Sequence, residues 1–388
     1  MGRHWALALS ATLAIVATAK SAEIDLAAAI EAVQRVGHLG AGNASAQQSW
    51  PVLAAAAPDQ LPQLLEALDD SNPLAANYLR AAVDAICERT LAKGEKLPAD
   101  ALEQFALDTS HVPRARRLAY EWLAKVDPTA GDRLIPGMLN DPSVEFRRDA
   151  VARLLDAAGK ETDAEKLKPI YRQALSGARD LDQVQTIAGK LKDLGEEVDL
   201  SRHFGFLFSW RVIGPFDNVG GKGFATAYPP EQAIDYDAEY PGKANLVRWQ
   251  EHVTVDPMGA VDFNTILAKE KGVAAYAVAE FQSEEGQDVE FRWGTMNATK
   301  LWLNGALLAE HEVYHSGEDL DQYIAQGHLK PGKNVILVKV CQNEQTENWA
   351  DSWKVSIRVC DETGTAILSA DRPEKSPTQS VEPKPANL

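Results

Sequence analysis

One short stretch decides how the second half of this chain folds: Leu301-Trp302-Leu303-Asn304-Gly305. Three large apolar residues are followed by Asn-Gly, the pair that most readily adopts the positive φ angles of a two-residue hairpin turn. A second turn signal, Lys330-Pro331-Gly332-Lys333-Asn334, stands immediately before the apolar run 335–340. Pro and Gly interrupt regular structure, and the Val, Ile and Leu that follow favour a new strand. Both signals predict antiparallel β-structure.

Further short strands extend from these signals in both directions, beginning near Phe204. The predicted strands, which alternate with Gly and Pro turns, are 207–213, 273–282, 289–293, 299–303, 335–340 and 354–359. A series of short strands separated by turn signals is typical of an antiparallel β-sandwich. We therefore expect a β-sandwich over residues 201–370.

These residues also carry a family resemblance. The segments Leu301 to Gly305, Gly327 to Val340 and Trp210 to Phe216 resemble the jelly-roll sugar-binding domain of family 2 glycoside hydrolases and related galactose-binding-like sandwiches. In those hydrolases a catalytic barrel of roughly 250 residues follows the jelly roll, whereas here only residues 371–388 follow. The resemblance thus implies a jelly roll that binds carbohydrate or a partner, without glycosidase activity.

The first half, residues 23–200, is rich in Ala and Leu at helical spacing. A unit of one turn and one helix recurs from Asp70, Asp108 and Asp141, where Asp, Asn, Ser and Pro mark a turn that caps the next helix. The copy from Leu134 to Val151 resembles a HEAT repeat, a family of stacked helix pairs that usually bind other macromolecules. The resemblance implies an α-solenoid or helical bundle with a protein partner, and a structural spacer is the alternative.

The predicted fold class is therefore α+β and multidomain: an N-terminal all-α helical repeat followed by an antiparallel β-sandwich of the jelly-roll, galactose-binding-like kind. Residues 1–22 are typical of a secretory signal peptide, because the apolar run from Trp5 to Ala19 is too short to span a bilayer and ends in the small pair Ala17 and Ala19. We expect a periplasmic or secreted mature protein without a membrane span. Residues 371–388, rich in Pro, Ser and Lys, are predicted to be a disordered tail.

Charge narrows the class of ligand. The chain has 56 acidic and 39 basic side chains, a net charge of -17. Nucleic-acid binding depends on clustered Lys and Arg that neutralise phosphates, so this composition excludes a nucleic-acid partner. Neutral sugars, cations and basic partners all remain compatible with it.

The most specific chemical motif is His311-Glu312-Val313-Tyr314-His315. On a helix, His311 and His315 would share one face and bind zinc, with Glu312 activating water for peptide hydrolysis. The motif, however, follows the Asn-Gly turn, where a second strand should run. Residues four apart on a strand lie about 13 Å from each other, too far for one zinc ion. We expect edge-strand residues; a zinc metallopeptidase and a non-catalytic metal or ligand contact through His315 are the alternatives.

A carbohydrate site needs flat aromatic rings beside amides and carboxylates. The loop 342–353 supplies both, and its predicted ligand-binding residues are Gln342, Asn343, Trp349, Asp351 and Trp353. For both Trp349 and Trp353, a position in the sandwich core is the alternative.

A second aromatic and acidic loop is predicted to lie beside the first or to bind structural Ca²⁺. Its residues are Tyr314, Asp319, Asp321 and Tyr323, and the predicted ligand-binding residues in this part of the chain are Tyr314, His315 and Asp319. No catalytic residue and no cofactor are predicted, because the nucleophile elbow, the phosphate-binding loop, the dinucleotide motif and paired C-x-x-C motifs are missing from the sequence. The sequence predicts a binding protein that recognises a glycan or a partner; a structural cell-envelope assembly protein is the further alternative.

Overall fold

A computed structural model describes residues 25–377 of the 388-residue chain. The predicted signal peptide and the last part of the predicted tail, residues 378–388, lie outside the described residues. A helical region comes first and antiparallel sheets follow, which confirms the predicted α+β architecture. The chain divides into two compact units, Met1–Leu134 and Ile135–Leu388. Between residues 25 and 377, no helix is both long and apolar enough to cross a membrane.

The helices of the first region are joined by short loops and 3-10 turns. They are α1 Leu26–Gln34, α2 Asn43–Ala55, α3 Leu61–Glu66, α4 Pro73–Ala92, α5 Ala99–Leu107, α6 Pro113–Val126, α7 Ala130–Leu134, α8 Val144–Ala158, α9 Ala164–Gly177, α10 Leu181–Asp193 and α11 Leu200–Phe204.

Two of the three predicted caps begin helices as expected. The Asn72 side-chain oxygen accepts hydrogen bonds from the first turn of α4, and the Ser143 hydroxyl accepts one from the first turn of α8. Each side chain thereby satisfies N–H groups that the helix itself leaves free. The third unit differs, because the Asp108 carboxylate bonds to Ser110 and α6 begins only at Pro113.

Strands and three short helices make up the rest of the described chain. They are β1 Ser209–Asp217, α12 Lys222–Ala225, α13 Pro229–Gln232, β2 Glu239–Pro241, β3 Leu246–Arg248, β4 Gln250–Val253, β5 Val261–Asp262, α14 Phe263–Ile266, β6 Val273–Ser283, β7 Gln287–Gly294, β8 Ala298–Leu303, β9 Ala306–His311, β10 Tyr323–Leu329, β11 Gly332–Gln342 and β12 Lys354–Cys360. One sheet has the order β4-β1-β6-β11-β8-β9, a second has the order β10-β7-β12-β5, and β2 pairs with β3.

The two turn signals behave differently. Asn304 and Gly305 have φ angles of 52° and 84° and join β8 to β9 in the predicted hairpin. The turn before β11 instead connects the two sheets, because β10 pairs with β7 while β11 lies between β6 and β8. The buried Asn334 amide closes this turn with hydrogen bonds to the backbone N–H and C=O of Lys330.

Apolar side chains from both sheets share one core, as a sandwich requires. Phe291 and Trp293 of β7 and Ile357 of β12 pack in the same cluster as Ala277 of β6 and Val338 of β11. Each large apolar side chain buried in this way contributes roughly 1.5–3 kcal/mol to stability. This core holds β6 and β11 in place, and the ends of these two strands carry the loops described below.

The outer face of the six-stranded sheet is also covered. Tyr276 and Leu337 on that face pack against Phe224, Tyr228 and Val247 from the segment between β1 and β4. With both faces buried, the strand ends and sheet edges remain as the accessible parts of this sheet.

The last helices belong to the same compact unit as the strands. Val151 of α8 and Ile187 and Leu191 of α10 form one buried cluster with Phe204 and Phe206, at the start of the strand-bearing region. Farther along the chain, Arg372 donates a hydrogen bond to the Phe206 carbonyl oxygen. Backbone and side-chain contacts of the described chain thus extend into the segment for which composition predicted a tail.

Candidate binding site

Five strand ends meet at one end of the six-stranded sheet. The pairing registers place Asp217 of β1 and Gln342 of β11 opposite Val273 of β6, and Ala298 of β8 opposite Cys341. His311, the last residue of β9, lies opposite Thr299. Because neighbouring antiparallel strands align their opposite ends, the loops 218–224, 264–272, 312–322 and 343–353 all leave the sheet at this end.

Asn218 connects its own loop to the loop 312–322 and to the end of β11. Its amide is fully buried. The Nδ2 atom donates to the Tyr314 hydroxyl at 3.2 Å and to the Gln342 carbonyl oxygen at 3.0 Å, and Oδ1 accepts from the Phe224 N–H at 3.1 Å. Burial also raises the pKa of Tyr314 to about 12, so its hydroxyl stays protonated at neutral pH.

The loop 343–353 is held down at the residues next to Trp349. The Lys271 ammonium donates to the Ala350 carbonyl oxygen at 2.8 Å and lies 3.1 Å from the Asp351 carboxylate. Asn264 Nδ2 donates to the Asp351 carbonyl oxygen at 2.7 Å. Ala350 is buried, whereas 55% of Trp349 is exposed. An anchored backbone therefore presents a large aromatic ring to solvent.

His315 fixes the other side of this ring. Its backbone has a φ angle of 61°, and its N–H donates to the Met296 carbonyl oxygen at 2.6 Å. The imidazole and the Trp349 indole are edge to face, with ring centroids 4.9 Å apart and planes at 87°. This is a favoured aromatic geometry, and it links the loops 312–322 and 343–353.

The hydrogen bonds of Asn343 determine the tautomer of His315. Asn343 Oδ1 accepts from the Gln345 N–H at 3.2 Å, which identifies it as the oxygen, and it lies 3.1 Å from His315 Nε2. His315 Nε2 must therefore carry the hydrogen. Nδ1 is then a bare acceptor; it is buried and has no hydrogen-bond partner in the described part of the chain. Because this atom is buried, it does not face a ligand in solvent.

Carboxylates lie on the same two loops as the two rings. Glu312 and Glu344 are exposed, and Glu344 accepts a hydrogen bond from the Gly220 N–H. The Asp351 carboxylate is paired with Lys271. We refer to His315, Asn343, Glu344, Trp349 and Asp351 as the Trp349 surface. It combines an aromatic face, an amide and carboxylates in one anchored set of loops.

The structure brings together five of the residues predicted from sequence: Trp349, Asp351, Asn343 and His315, with Tyr314 beneath them. For two other residues the predicted role in ligand binding is wrong, because both side chains are buried. Trp353 is fully buried, its indole N–H donates to the Val340 carbonyl oxygen at 3.1 Å, and it packs against Phe263 in the core. Gln342 is also fully buried. Neither side chain can contact a ligand in solvent.

The prediction for the second loop changes in a similar way. The backbone of Asp319 packs against Gly294 at the end of β7, in the other sheet, so Asp319 is separate from the Trp349 surface. The Asp321 carboxylate accepts hydrogen bonds from Arg292 at 3.0 Å and from Arg358 at 2.6 Å. Two guanidinium groups already neutralise it, which leaves no free charge for the proposed Ca²⁺.

The H-E-x-x-H motif does not form the helix that a zinc site needs. Strand β9 ends at His311, so the expected strand covers only the first residue of the motif. The His311 ring stacks on Tyr323, with centroids 4.2 Å apart, while His315 contacts Trp349. Within residues 25–377, no group of three or more His, Cys, Asp or Glu side chains is arranged to hold a metal ion. The geometry thus offers no basis for the zinc peptidase alternative.

Asn218, Lys271 and Glu344 were not predicted from the sequence. Asn218 and Lys271 lie far from residue 349 in sequence, and only the pairing of β1 and β6 with β11 brings them to it. Lys271 stands close to the start of the predicted strand 273–282, and this was the one available signal for it.

No protein-family model and no curated protein matches the chain. Among solved structures, it is similar to a family 35 carbohydrate-binding module from Clostridium thermocellum at 12% identity, over 23% of this chain and 71% of the module, with a TM-score of 0.17. It is similar to Faecalibacterium prausnitzii β-glucuronidase at 13% identity, over 40% of this chain and 31% of the enzyme, with a TM-score of 0.25. A β-glucosidase from Kluyveromyces marxianus, in complex with glucose, matches at 9% identity, over 78% of this chain and 38% of the enzyme, with a TM-score of 0.25. The chain spans less than two fifths of the length of either enzyme.

Proposed function

We propose that the β-sandwich binds carbohydrate through the Trp349 surface. The observation that carries this proposal is the exposed indole of Trp349, held between the His315 ring and the anchored backbone of Ala350 and Asp351. An exposed aromatic ring in a fixed orientation can stack on the apolar face of a sugar. The resemblance of residues 301–305 and 327–340 to a sugar-binding domain gives independent support.

The polar groups around the ring suit sugar hydroxyls. The carboxylates of Glu344 and Asp351 are exposed, and their oxygens can accept hydrogen bonds from these hydroxyls. Because the loops are already tied down by Asn218 and Lys271, binding costs little ordering entropy.

The charge of the surface selects among sugars. Glu344 and Glu347 are exposed carboxylates on the loop that carries Trp349, and Lys271 is already paired with Asp351. A uronic acid would bring a further negative charge into this environment. We therefore infer that the ligand is a neutral sugar of a polysaccharide.

Affinity electrophoresis of the mature full-length chain tests this proposal. Gels would contain neutral polysaccharides, such as a β-glucan, a galactomannan or a xylan, or the acidic polygalacturonate. We expect retardation by at least one neutral polymer, and loss of that retardation in Trp349→Ala. Leu246→Ala is the matched control, because Leu246 is 65% exposed but lies on β3. Unchanged retardation in Trp349→Ala, or retardation by polygalacturonate alone, would contradict the proposal.

We also infer that the protein is exported, with Trp5 to Ala19 as the signal core. N-terminal sequencing of the native protein tests this inference. A mature chain that begins shortly after Ala19, recovered outside the cytoplasm, is the expected result. A native chain that still begins at residue 1 or 2 would overturn it.

A further inference from the structure

A second exposed apolar side chain, Val219, lies at the same end of the six-stranded sheet as Trp349. Val219 belongs to the loop that follows β1 and is 48% exposed. Its neighbour Asn218 is fully buried, and the Asn218 carbonyl oxygen accepts a hydrogen bond from the Gly221 N–H at 3.0 Å. The backbone on both sides of Val219 is therefore tied down, and the apolar side chain stays in a fixed, exposed position.

The dipeptide Lys271-Gly272 connects this loop to the loop that carries the exposed tryptophan. The Gly272 N–H donates to the Asn343 carbonyl oxygen at 2.9 Å, and the Gly272 carbonyl oxygen accepts from the Asn218 N–H at 2.8 Å. The Lys271 ammonium donates to the Ala350 carbonyl oxygen at 2.8 Å. One dipeptide thus binds both the residue after the tryptophan and the residue before the valine, so the two exposed side chains stand on adjoining loops.

Glu344, on the same loop as Trp349, also contacts the loop of Val219 directly. Its Oε1 atom accepts a hydrogen bond from the Gly220 N–H. A Cβ atom at Gly272 would lie 3.1 Å from Glu344 Cγ and 3.3 Å from Val219 Cγ2, so both side chains pack against this glycine. Glu344 is exposed, and within the described residues its Oε2 atom accepts no hydrogen bond. This oxygen is available to a sugar hydroxyl.

The backbone next to Val219 is open to solvent. Gly220 and Gly221 have φ angles of 65° and 71°, which glycine adopts without steric cost. A Cβ atom at Gly220 would have no neighbour within 4 Å, and the nearest neighbour of one at Gly221 is Glu312 Oε1 at 3.7 Å. A flat ring can therefore lie against Val219 and this backbone, with carboxylates close to its edge.

We propose that the Trp349 surface binds an internal segment of a polysaccharide main chain, with one sugar unit on Trp349 and another on Val219 and Gly220. This inference rests on the sugar-binding function proposed above and adds which part of the polymer is recognised. Recognition of a chain end needs a pocket that encloses the terminal ring, whereas Trp349 and Val219 are both about half exposed. Glu344 contacts the loop of the second position and belongs to the loop of the first, so it can bind hydroxyls along the segment.

Isothermal titration calorimetry of the mature full-length chain tests this inference. The probes are cello-, manno- and xylo-oligosaccharides, from the disaccharide to the hexasaccharide of each series. In at least one series, we expect the affinity to rise from the disaccharide to the tetrasaccharide and then to level off, because longer chains add no further contacts. In Val219→Ala, the ratio of tetrasaccharide to disaccharide affinity should fall about three- to tenfold, because two methyl groups leave the contact.

Val253→Ala is the matched control. Val253 is 50% exposed, but it pairs with Ser209 at the start of β1, the opposite end of that strand from Val219. The control should keep the wild-type ratio of affinities. Because Val219 and Val253 are exposed to the same extent, both variants should fold.

The possible results separate this inference from the function on which it rests. Affinity that is independent of chain length, a wild-type ratio in Val219→Ala, an equal fall in Val253→Ala, or undetectable binding of every hexasaccharide overturns the internal segment. In each of these cases, affinity gels in which a neutral polysaccharide still retards the wild type and not Trp349→Ala leave the proposed function intact. Retardation that is unchanged in Trp349→Ala overturns the proposed function itself.

Discussion

The imidazole of His315 meets the indole of Trp349 edge to face, with ring centroids 4.9 Å apart. The two residues come from different loops. Gln342 at the end of β11 donates to the Ala350 carbonyl oxygen in the loop of Trp349, and Asn218 connects Gln342 to Tyr314 in the loop of His315. The pair therefore does two things at once. It holds the loops together, and it restricts the orientation of the one large aromatic ring that the described loops at this end leave more than half exposed.

Alanine substitution should lower the free energy of unfolding much more at Trp353 than at Trp349. Trp353→Ala empties a fully buried site and should lower the free energy of unfolding by about 3–5 kcal/mol. Trp349→Ala removes a side chain that is 55% exposed and should change stability by about 1 kcal/mol or less, while abolishing polysaccharide binding. Urea unfolding of both variants measures the difference. Equal destabilisation by the two substitutions would refute this assignment.

Asn218→Ala should destabilise the sandwich although it removes only a small side chain. It leaves the Gln342 carbonyl oxygen and the Phe224 N–H without their buried partner. Each unsatisfied buried group costs about 1–3 kcal/mol, so we expect a loss of a few kcal/mol in urea unfolding and weaker polysaccharide binding. Asn245→Ala, at an exposed position, is the control. A stability loss no larger than that of the control would show that Asn218 does not hold these loops.

Lys339 and Glu231 form a buried ion pair on the outer face of the six-stranded sheet, and their contributions to stability should be strongly coupled. Lys339 is fully buried, and its ammonium donates to Glu231 Oε1 at 2.7 Å. Lys339→Met leaves the Glu231 charge buried and should cost about 3–5 kcal/mol. The double variant with Glu231→Gln should recover part of this loss, as measured by urea unfolding.

The matched control for this cycle is Lys300→Met. Lys300 lies opposite Lys339 in the sheet, but its partner Glu310 is half exposed. We expect a small fraction of the loss seen at position 339. A double variant no more stable than Lys339→Met would argue against coupling between Lys339 and Glu231.

His203 predicts how stability depends on pH. Burial, assisted by the charge of Arg179, lowers the pKa of His203 from 6.5 to about 4. Between these values the unfolded chain binds a proton that the folded chain does not, so stability should fall as the pH drops from about 6.5 to about 4, by up to about 3 kcal/mol. His203→Gln preserves a donor to the Ala178 carbonyl oxygen and should flatten this part of the profile.

The comparison that isolates His203 is urea unfolding at several pH values, with His328→Gln as the control at an exposed position. The control should follow the wild-type profile. If the wild type and His203→Gln lose the same stability between pH 6.5 and 4, other groups must account for the pH dependence.

Local chemistry made most of the fold predictable. The Asn304-Gly305 pair predicted the β8–β9 hairpin, because Asn and Gly adopt positive φ angles readily whatever residues surround them. Strands β6, β8 and β11 were predicted because their apolar runs are nearly continuous, and β12 was predicted because its apolar residues alternate with polar ones. Strands β2 to β5 were missed, since they are only two to four residues long and form only against neighbours. Strand β10 was missed as well.

The site was predictable only in part. Trp349 and Trp353 stand in the same loop segment, with similar flanking residues, yet one is exposed and the other is in the core. The chain crosses between these two residues and their flanking strands from β11 in one sheet to β12 in the other, and this crossing determines which tryptophan is buried. No local sequence pattern predicts that crossing. The contribution of Asn218 has the same origin, because its partners lie on strands and loops distant in sequence.

The shared cluster of Val151, Ile187 and Leu191 with Phe204 and Phe206 has a consequence for modularity. A recombination event that transferred only the region from residue 201 onward would separate Phe204 and Phe206 from the helices that cover them. The transferred region would then expose an apolar surface to solvent. A gene fragment that starts at Ile135 would carry its own cover. The heritable module in this protein is therefore the sandwich together with α8 to α11, and the sugar-binding surface proposed above can spread between proteins only with that helical segment attached.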